Sequence, residues 1–221
     1  MSDSDVVAIV AGEALSLLSE RAVYWKARAT LFVADPHFGK AAAFRAGGVP
    51  VPRGTTTENL RRLDTCLSRT GARRIVFLGD FLHAREGRAP ETLRVLNEWR
   101  ARHADVDMVL IRGNHDVRAG DPPRELTIRC ETGPITESPF VLAHHPAESD
   151  AGYVLAGHIH PGVWLHGSAR QFERLPCFWF GARTAVLPAF GEFTGVASVD
   201  VRPGDRVWVV AGNEVIDVSA S

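Results

Sequence analysis

The chain has 221 residues, 45% hydrophobic and 23% charged, which allows a full core and excludes a disordered, collagen-like or coiled-coil protein. Its 25 Lys+Arg against 26 Asp+Glu leave a formal charge of -1, so no global field favours nucleic acid or membrane, and any such partner must be recognised locally. No apolar run reaches the roughly 18 residues that cross a bilayer, and the acidic opening MSDSDVV is unlike a secretory signal. The expectation is a soluble, cytoplasmic protein with no membrane partner. Cys66, Cys130 and Cys177 are odd in number, widely spaced and set in apolar segments, as reduced core thiols would be.

In chain order, the first clear strand is 29–34 (ATLFVA). Thr55, Thr56 and Thr57 can cap a helix with Leu60, Leu63 and Leu67 on one face, stopping at Gly71. A buried strand follows at 74–78, then a helix opened by Pro90 with Leu93, Leu96 and Trp99 as its inner stripe, then a strand at 107–111. This βαβαβ rhythm gives way past Gly120 to short strands at 126–130, 140–143, 153–156, 177–180, 196–201, 207–210 and 215–218, with little helical periodicity. The pattern predicts an α/β fold of two packed sheets with helices outside. No linker interrupts it, so a single domain over residues 1–221 is expected.

Apolar strands end in polar, metal-compatible residues. Asp35-Pro36-His37 follows LFVA, Gly79-Asp80-Phe81-Leu82-His83 follows IVFL, Gly113-Asn114-His115-Asp116 follows VLIR, and His144-His145 follows FVLA. The strand YVLA adds Gly157-His158-Ile159-His160. Carboxyl ends of strands in an open α/β sheet share one crevice, so these groups converge on one site. Each motif alone also fits a turn or a helix cap; their conjunction at successive strand ends does not. The oxygen and imidazole donors, without thiolate, suit Mn²⁺, Fe or Zn²⁺ in a hydrolytic site. Seven ligand-type groups exceed one tetrahedral ion but match two ions sharing a carboxylate, for which Asp80 is the natural bridge. Of His144 and His145, successive strand residues on opposite faces, only one is expected to be a ligand.

Together, Asp35-x-His37, Gly79-Asp80-x-x-His83, Gly113-Asn114-His115-Asp116, His144 and Gly157-His158-x-His160 resemble the signature of the calcineurin-like metallophosphoesterases across residues 29–160. The resemblance implies a four-layer αββα arrangement, a two-sheet sandwich flanked by helices. It implies one metal held by Asp35, His37, Asp80 and His160, and another by Asp80, Asn114, His144 and His158. His115 would sit beside the metals and meet the phosphate together with Asn114. A narrower resemblance rests on His37-Phe38-Gly39-Lys40, Phe44-Arg45, Gly48, Pro52, Gly54, His144-His145-Pro146, Gly157-His158-Ile159-His160-Pro161 and Leu187-Pro188-Ala189-Phe190-Gly191. These are similar to the ligase-associated DNA damage response endonucleases often called PdeM. That implies a phosphodiester substrate and association with a DNA-ligase and helicase repair set. In the phosphoprotein-phosphatase branch an Asp that orients the catalytic His stands where this chain has His83, which leaves open what sets the tautomer of His115.

The expected activity is metal-dependent phosphodiester hydrolysis of nucleic acid, with two divalent ions, Mn²⁺ first and Fe or Zn²⁺ next. Asp80 and His115 are the expected catalytic residues, and His115 would serve the leaving oxygen. No Cys lies near a motif and no Gly-x-Ser-x-Gly elbow exists, so no protein nucleophile is expected. The alternatives are a phosphatase or cyclic-nucleotide phosphodiesterase acting on a small molecule, and a non-catalytic scaffold. Lys40 and Arg45 are candidate phosphate or backbone contacts, with solvated surface charge as the alternative. Between residues 45 and 129 there are 16 Arg against 11 Asp+Glu, a modest pointer to an anionic partner in an Arg-rich chain. The run Cys177-Phe178-Trp179-Phe180 fits alternate core filling better than base stacking.

Overall fold

The computed structural model describes residues 5–52, 54–166 and 172–219. Its first sheet runs in chain order: β1 (Val6–Val10), β2 (Glu13–Leu18), β3 (Ala22–Trp25), β4 (Thr30–Val33), β5 (Arg74–Phe77), β6 (Asp107–Ile111) and β7 (Arg129–Glu131). The first four strands form an antiparallel meander, and β4 through β7 are parallel. Parallel neighbours need crossovers. α1 (Lys40–Ala46) and α2 (Thr55–Thr70) lie between β4 and β5, α3 (Pro90–Arg102) between β5 and β6, and α4 (Asn114–Ala119) between β6 and β7.

The parallel strands are apolar on both faces because both faces are covered. Leu31, Val33, Ile75, Phe77, Met108 and Leu110 pack with Leu60, Leu63 and Leu67 of α2 and Leu96 and Trp99 of α3. The intervening Phe32, Ala34, Val76, Leu78, Val109 and Ile111 pack with Phe140, Leu142, Leu155, Phe178, Phe180 and Leu187 of the second sheet. A fully buried side chain of this size contributes about 1.5–3 kcal/mol.

That second sheet comprises β8 (Ile135–Glu137), β9 (Phe140–Leu142), β10 (Tyr153–Ala156), β11 (Pro161–His166), β12 (Phe172–Phe180), β13 (Thr184–Val186), β14 (Ala197–Ser198), β15 (Arg206–Ala211) and β16 (Glu214–Asp217). Their order is β14-β11-β12-β13-β10-β9-β8, with β15 beside β12 and β16 beside β15. β9, β10 and β13 are mutually parallel. The α/β two-sheet sandwich is the one the sequence predicts. Among the described residues, its α-helices end with α4. Outside the second sheet, Cys177, Val207 and Val209 pack with Val163, Leu165, Val199, Val201 and Val218 from strands and loops. Helical periodicity is missing from that part of the sequence, so no amphipathic helix is available there.

Several local expectations change. The strand expected at 126–130 is a 3-10 turn, Arg124–Leu126, followed by Thr127 in the left-handed region and then β7. The strand expected at 196–201 pairs only over Ala197–Ser198. The segment 177–180 is the end of a longer β12, which carries Pro176 opposite Gly162. Phe178 and Phe180 point into the inter-sheet core while Cys177 faces the other side, the alternation of a packed strand. Gly54 in the left-handed conformation, not a threonine side chain, precedes α2. Thr56 Oγ1 instead accepts the Gly39 N–H at 3.2 Å. All three cysteines are free; Cys66 and Cys177 are buried and Cys130 is half-buried.

Candidate metal centre

Parallel strands β4, β5 and β6 of one sheet and β9 and β10 of the other end at the same edge of the sandwich. Their continuations deliver Asp35-His37, Asp80-His83, Asn114-His115, His144-His145 and His158-His160 in turn. The two sheets are tied together there. Phe190 N–H donates to Ala34 O at 2.8 Å and Gly191 N–H to Asp35 O at 3.1 Å. The chain must turn sharply as it leaves each strand. Ten non-glycine residues among those described have positive φ, and five of them are Asp35, His37, Asp80, His158 and His160. Each costs about 1–2 kcal/mol, so the surrounding structure holds these side chains against local preference.

Close approach fixes the glycines of the motifs. A Cβ on Gly79 would lie 2.0 Å from His144 Nδ1, and one on Gly113 would lie 2.2 Å from Asp80 Oδ1.

Asp80 is buried between two imidazole groups. Its Oδ1 accepts the His115 N–H at 2.9 Å and lies 3.5 Å from His144 Nε2. Its Oδ2 lies 3.8 Å from His37 Nε2 and 4.0 Å from His115 Nε2. Asp35 Oδ2 accepts the His158 N–H at 2.8 Å and lies 3.7 Å from His160 Nε2. His37 Nε2 and His160 Nε2 are 3.4 Å apart, and His158 Nδ1 and His144 Nε2 are 3.1 Å apart. His144 Nδ1 donates to Leu78 O at 2.9 Å, which leaves Nε2 with its lone pair toward Asn114 Oδ1, 3.0 Å away. Asp35, His37 and His160, and likewise Asp35, Asp80 and His144, bring one ligand atom each within 4.8 Å of one another.

Burial governs the charges here. It holds His37 far below the usual imidazole value, reinforced by Lys40, His160, His115 and His83, and pushes His144 down to about 4. His158 is lowered and Asp80 raised by the same desolvation. Neutral imidazoles and desolvated carboxylates are poor partners for each other and good ones for a cation. The Oδ1 of Asp35 is buried with no hydrogen-bond partner among the described residues, a deficit of about 1–3 kcal/mol that a cation would remove. The donor set therefore fits divalent metal.

All seven expected ligands meet at this edge, with His115 beside them. Lys40, the first residue of α1, is half-buried. Its amine is depressed by desolvation, partly offset by the charges of Asp35 and Asp80, and lies over the Phe44 ring at 5.8 Å. Arg45 is directed elsewhere: its Nη1 donates to Pro52 O at 3.2 Å and Val51 O at 3.5 Å. His145 is exposed, its ring 4.1 Å from that of His158. The group that sets the tautomer of His115 is the backbone carbonyl of His83, which accepts from His115 Nδ1 at 2.6 Å. The His83 ring stacks on His115 at 4.9 Å and 22°, and its Nδ1 lies 3.5 Å from His37 Nδ1.

Three residues beyond the candidate ligands brace the site, none given a role in the sequence reading. Asp116 is buried and joins two motif loops, accepting Gly113 N–H at 2.9 Å and Leu82 N–H at 3.2 Å; burial pushes it up to about 6. Asn59 of α2 donates to Pro36 O at 3.3 Å and accepts from Glu192 N–H at 3.3 Å. Arg62 stacks on Phe190 at 4.5 Å and binds Glu192 at 2.6 Å. A polar residue inside the apolar stripe of α2, as Asn59 is, was the available signal.

A two-sheet α/β sandwich that gathers carboxylates and imidazoles at its strand ends defines a metal-dependent hydrolase. Residues 29–136 match the family model for calcineurin-like phosphoesterase. The nuclease MPE of Pseudomonas putida is 41% identical, the match covering 97% of this chain and 100% of that one at a TM-score of 0.85. Yfce, a phosphoesterase from E. coli, is 17% identical over 87% of this chain and 99% of that one at a TM-score of 0.42. No curated protein matches. The chain belongs to the calcineurin-like phosphoesterases, metal-dependent enzymes acting on phosphate esters.

Proposed function

We propose that this chain is a two-metal phosphodiesterase that cuts nucleic-acid strands. The observation that carries the two-metal reading is Asp80, whose two oxygens face separate imidazole groups. The full-length likeness to a nuclease supports the substrate class. One cation would be held by Asp35, His37, Asp80 and His160, the other by Asp80, Asn114, His144 and His158. Mn²⁺ leads for this thiolate-free donor set, before Fe or Zn²⁺. Such cations supply Lewis acidity toward phosphoryl oxygens and lower the pKa of water.

The chain's own residues orient the reaction. Because His115 Nδ1 is committed to His83 O, its Nε2, on the side of Asp80, is the atom that exchanges a proton with the leaving oxygen. Lys40 and Asn114 bind phosphoryl oxygens at the rim. The buried thiols take no part, since burial raises Cys177 to about 12.

We place the enzyme in the cytoplasm with a DNA ligase and helicase repair set, on the strength of the His37-Phe38-Gly39-Lys40 and Leu187-Pro188-Ala189-Phe190-Gly191 strings. No helix among the described residues is long and apolar enough to cross a membrane. The test of the activity is an assay of Mn²⁺-loaded protein on bis-(p-nitrophenyl) phosphate, p-nitrophenyl phosphate, and single- and double-stranded DNA. Diester turnover with DNA nicking is expected. Monoester turnover without DNA cleavage would contradict the proposal.

A further inference from the structure

An open cleft of about 580 Å³ begins at His115 and His83 and is otherwise lined by Ala84, Arg85, Glu86, Val117 and Arg118. Its walls are the segment after the Gly-Asp motif and helix α4. His115 and Arg118 are three residues apart on α4 and so share a face. Arg85 lies two residues beyond His83, whose carbonyl holds His115. The Arg85 Nε–H donates to Arg118 O at 3.1 Å, locking one wall to the other and leaving the terminal nitrogens for another acceptor. Both arginines are exposed, and among the described residues neither pairs with a carboxylate, although Glu86 lines the same cleft.

A substrate with a single phosphate fills the metal centre and has nothing to offer these guanidiniums. A strand has a further phosphate beyond the leaving oxygen, and a guanidinium fork suits it. We infer that the cleft binds the strand on the leaving-group side of His115, with Arg85 and Arg118 holding the phosphate next to the one being cut. This makes Arg85 and Arg118 determinants of preference for a polynucleotide over a one-phosphate diester. Val117, 76% exposed, offers an apolar surface to the sugar or base between the two phosphates. Glu86 opposes the strand and limits its affinity.

The inference rests on the nucleic-acid reading of the same site, and the experiment separates the two. Arg118→Ala, Arg85→Ala and Arg85→Ala/Arg118→Ala are compared with the wild type in two assays. One is Mn²⁺-supported turnover of bis-(p-nitrophenyl) phosphate and of a labelled single-stranded oligonucleotide. The other is anisotropy binding of that oligonucleotide in EDTA across a salt series. The double variant is expected to keep diester turnover within about twofold, to raise KM for the oligonucleotide about tenfold or more, and to flatten the salt slope by about 1. Glu86→Gln is expected to tighten oligonucleotide binding. Arg118→Ala, which removes no hydrogen bond of the fold, keeps the test valid should Arg85→Ala unsettle the loop. Unchanged oligonucleotide KM and salt slope would overturn the inference and leave the nuclease proposal standing, as would equal loss on both substrates. A wild type that turns over the small diester but neither binds nor cuts the oligonucleotide would overturn both.

Discussion

At the residue scale, the proposed chemistry rests on two carboxylates and one imidazole. Asp80 faces both imidazole groups, Asp35 presents an oxygen with no donor among the described residues, and His115 is held by a backbone carbonyl rather than a carboxylate. His115→Ala is expected to retain metal while turnover of bis-(p-nitrophenyl) phosphate falls about 10²–10⁴-fold, measured as kcat beside elemental analysis. A parallel loss of metal and rate would make His115 a ligand instead. Gly113→Ala is expected to empty the site, because its Cβ would lie 2.2 Å from Asp80 Oδ1 and 2.6 Å from Asp80 N.

Protonation gives a signed test on the metal-free protein. Burial lowers His37, His83, His144 and His158, with His83 and His144 at about 4 against an ordinary 6.5. A folded state that binds fewer protons than the unfolded one keeps this stability above about pH 6.5 and loses it as pH falls toward the folded pKa. Asp80 and Asp116 act oppositely, Asp116 at about 6 within the same window, but the four lowered imidazoles outnumber them. The Tm in EDTA is therefore expected to drop from pH 7 to pH 5; a flat or rising Tm would contradict the burial of neutral histidines.

At the scale of elements, the site depends on strand ends and on the loops that brace them. The candidate ligands are readable from sequence because each follows an apolar strand, where His, Asp or Asn has no packing reason to be. Asp116 stands in a motif but also fits a helix cap, and Asn59 is a lone polar residue in the apolar stripe of α2; which loops they hold shows only in the fold. β1 to β3 are hidden for a different reason. β1 carries Val7 and Ile9 on its exposed side, 46% and 58% accessible, so the alternation that marks a half-buried strand is absent. Pro176 similarly disguises the length of β12. Asn59→Ala removes the Asn59 hydrogen bonds to Pro36 and Glu192, two of the ties between α2 and the loops around Asp35. It is expected to destabilise the metal-free protein by about 1–3 kcal/mol in urea unfolding, and to weaken Mn²⁺ binding. Unchanged values for both would assign Asn59 no bracing role.

For the molecule as a whole, each sheet supplies part of one site, so cations held there would act as a clasp between the two layers. Asp35, Asp80 and Asn114 come from the first sheet, His144, His158 and His160 from the second. Ligands that bind only the folded state stabilise it by about 2.7 kcal/mol at a hundredfold excess over Kd. The central claim is that this clasp holds two cations through Asp80. Its most direct test is elemental analysis of the Mn²⁺-reconstituted, desalted protein, wild type beside Asp80→Asn. Two ions per chain are expected in the wild type and fewer than one in the variant. One ion or none in the wild type, or two retained without the Asp80 carboxylate, would contradict the account.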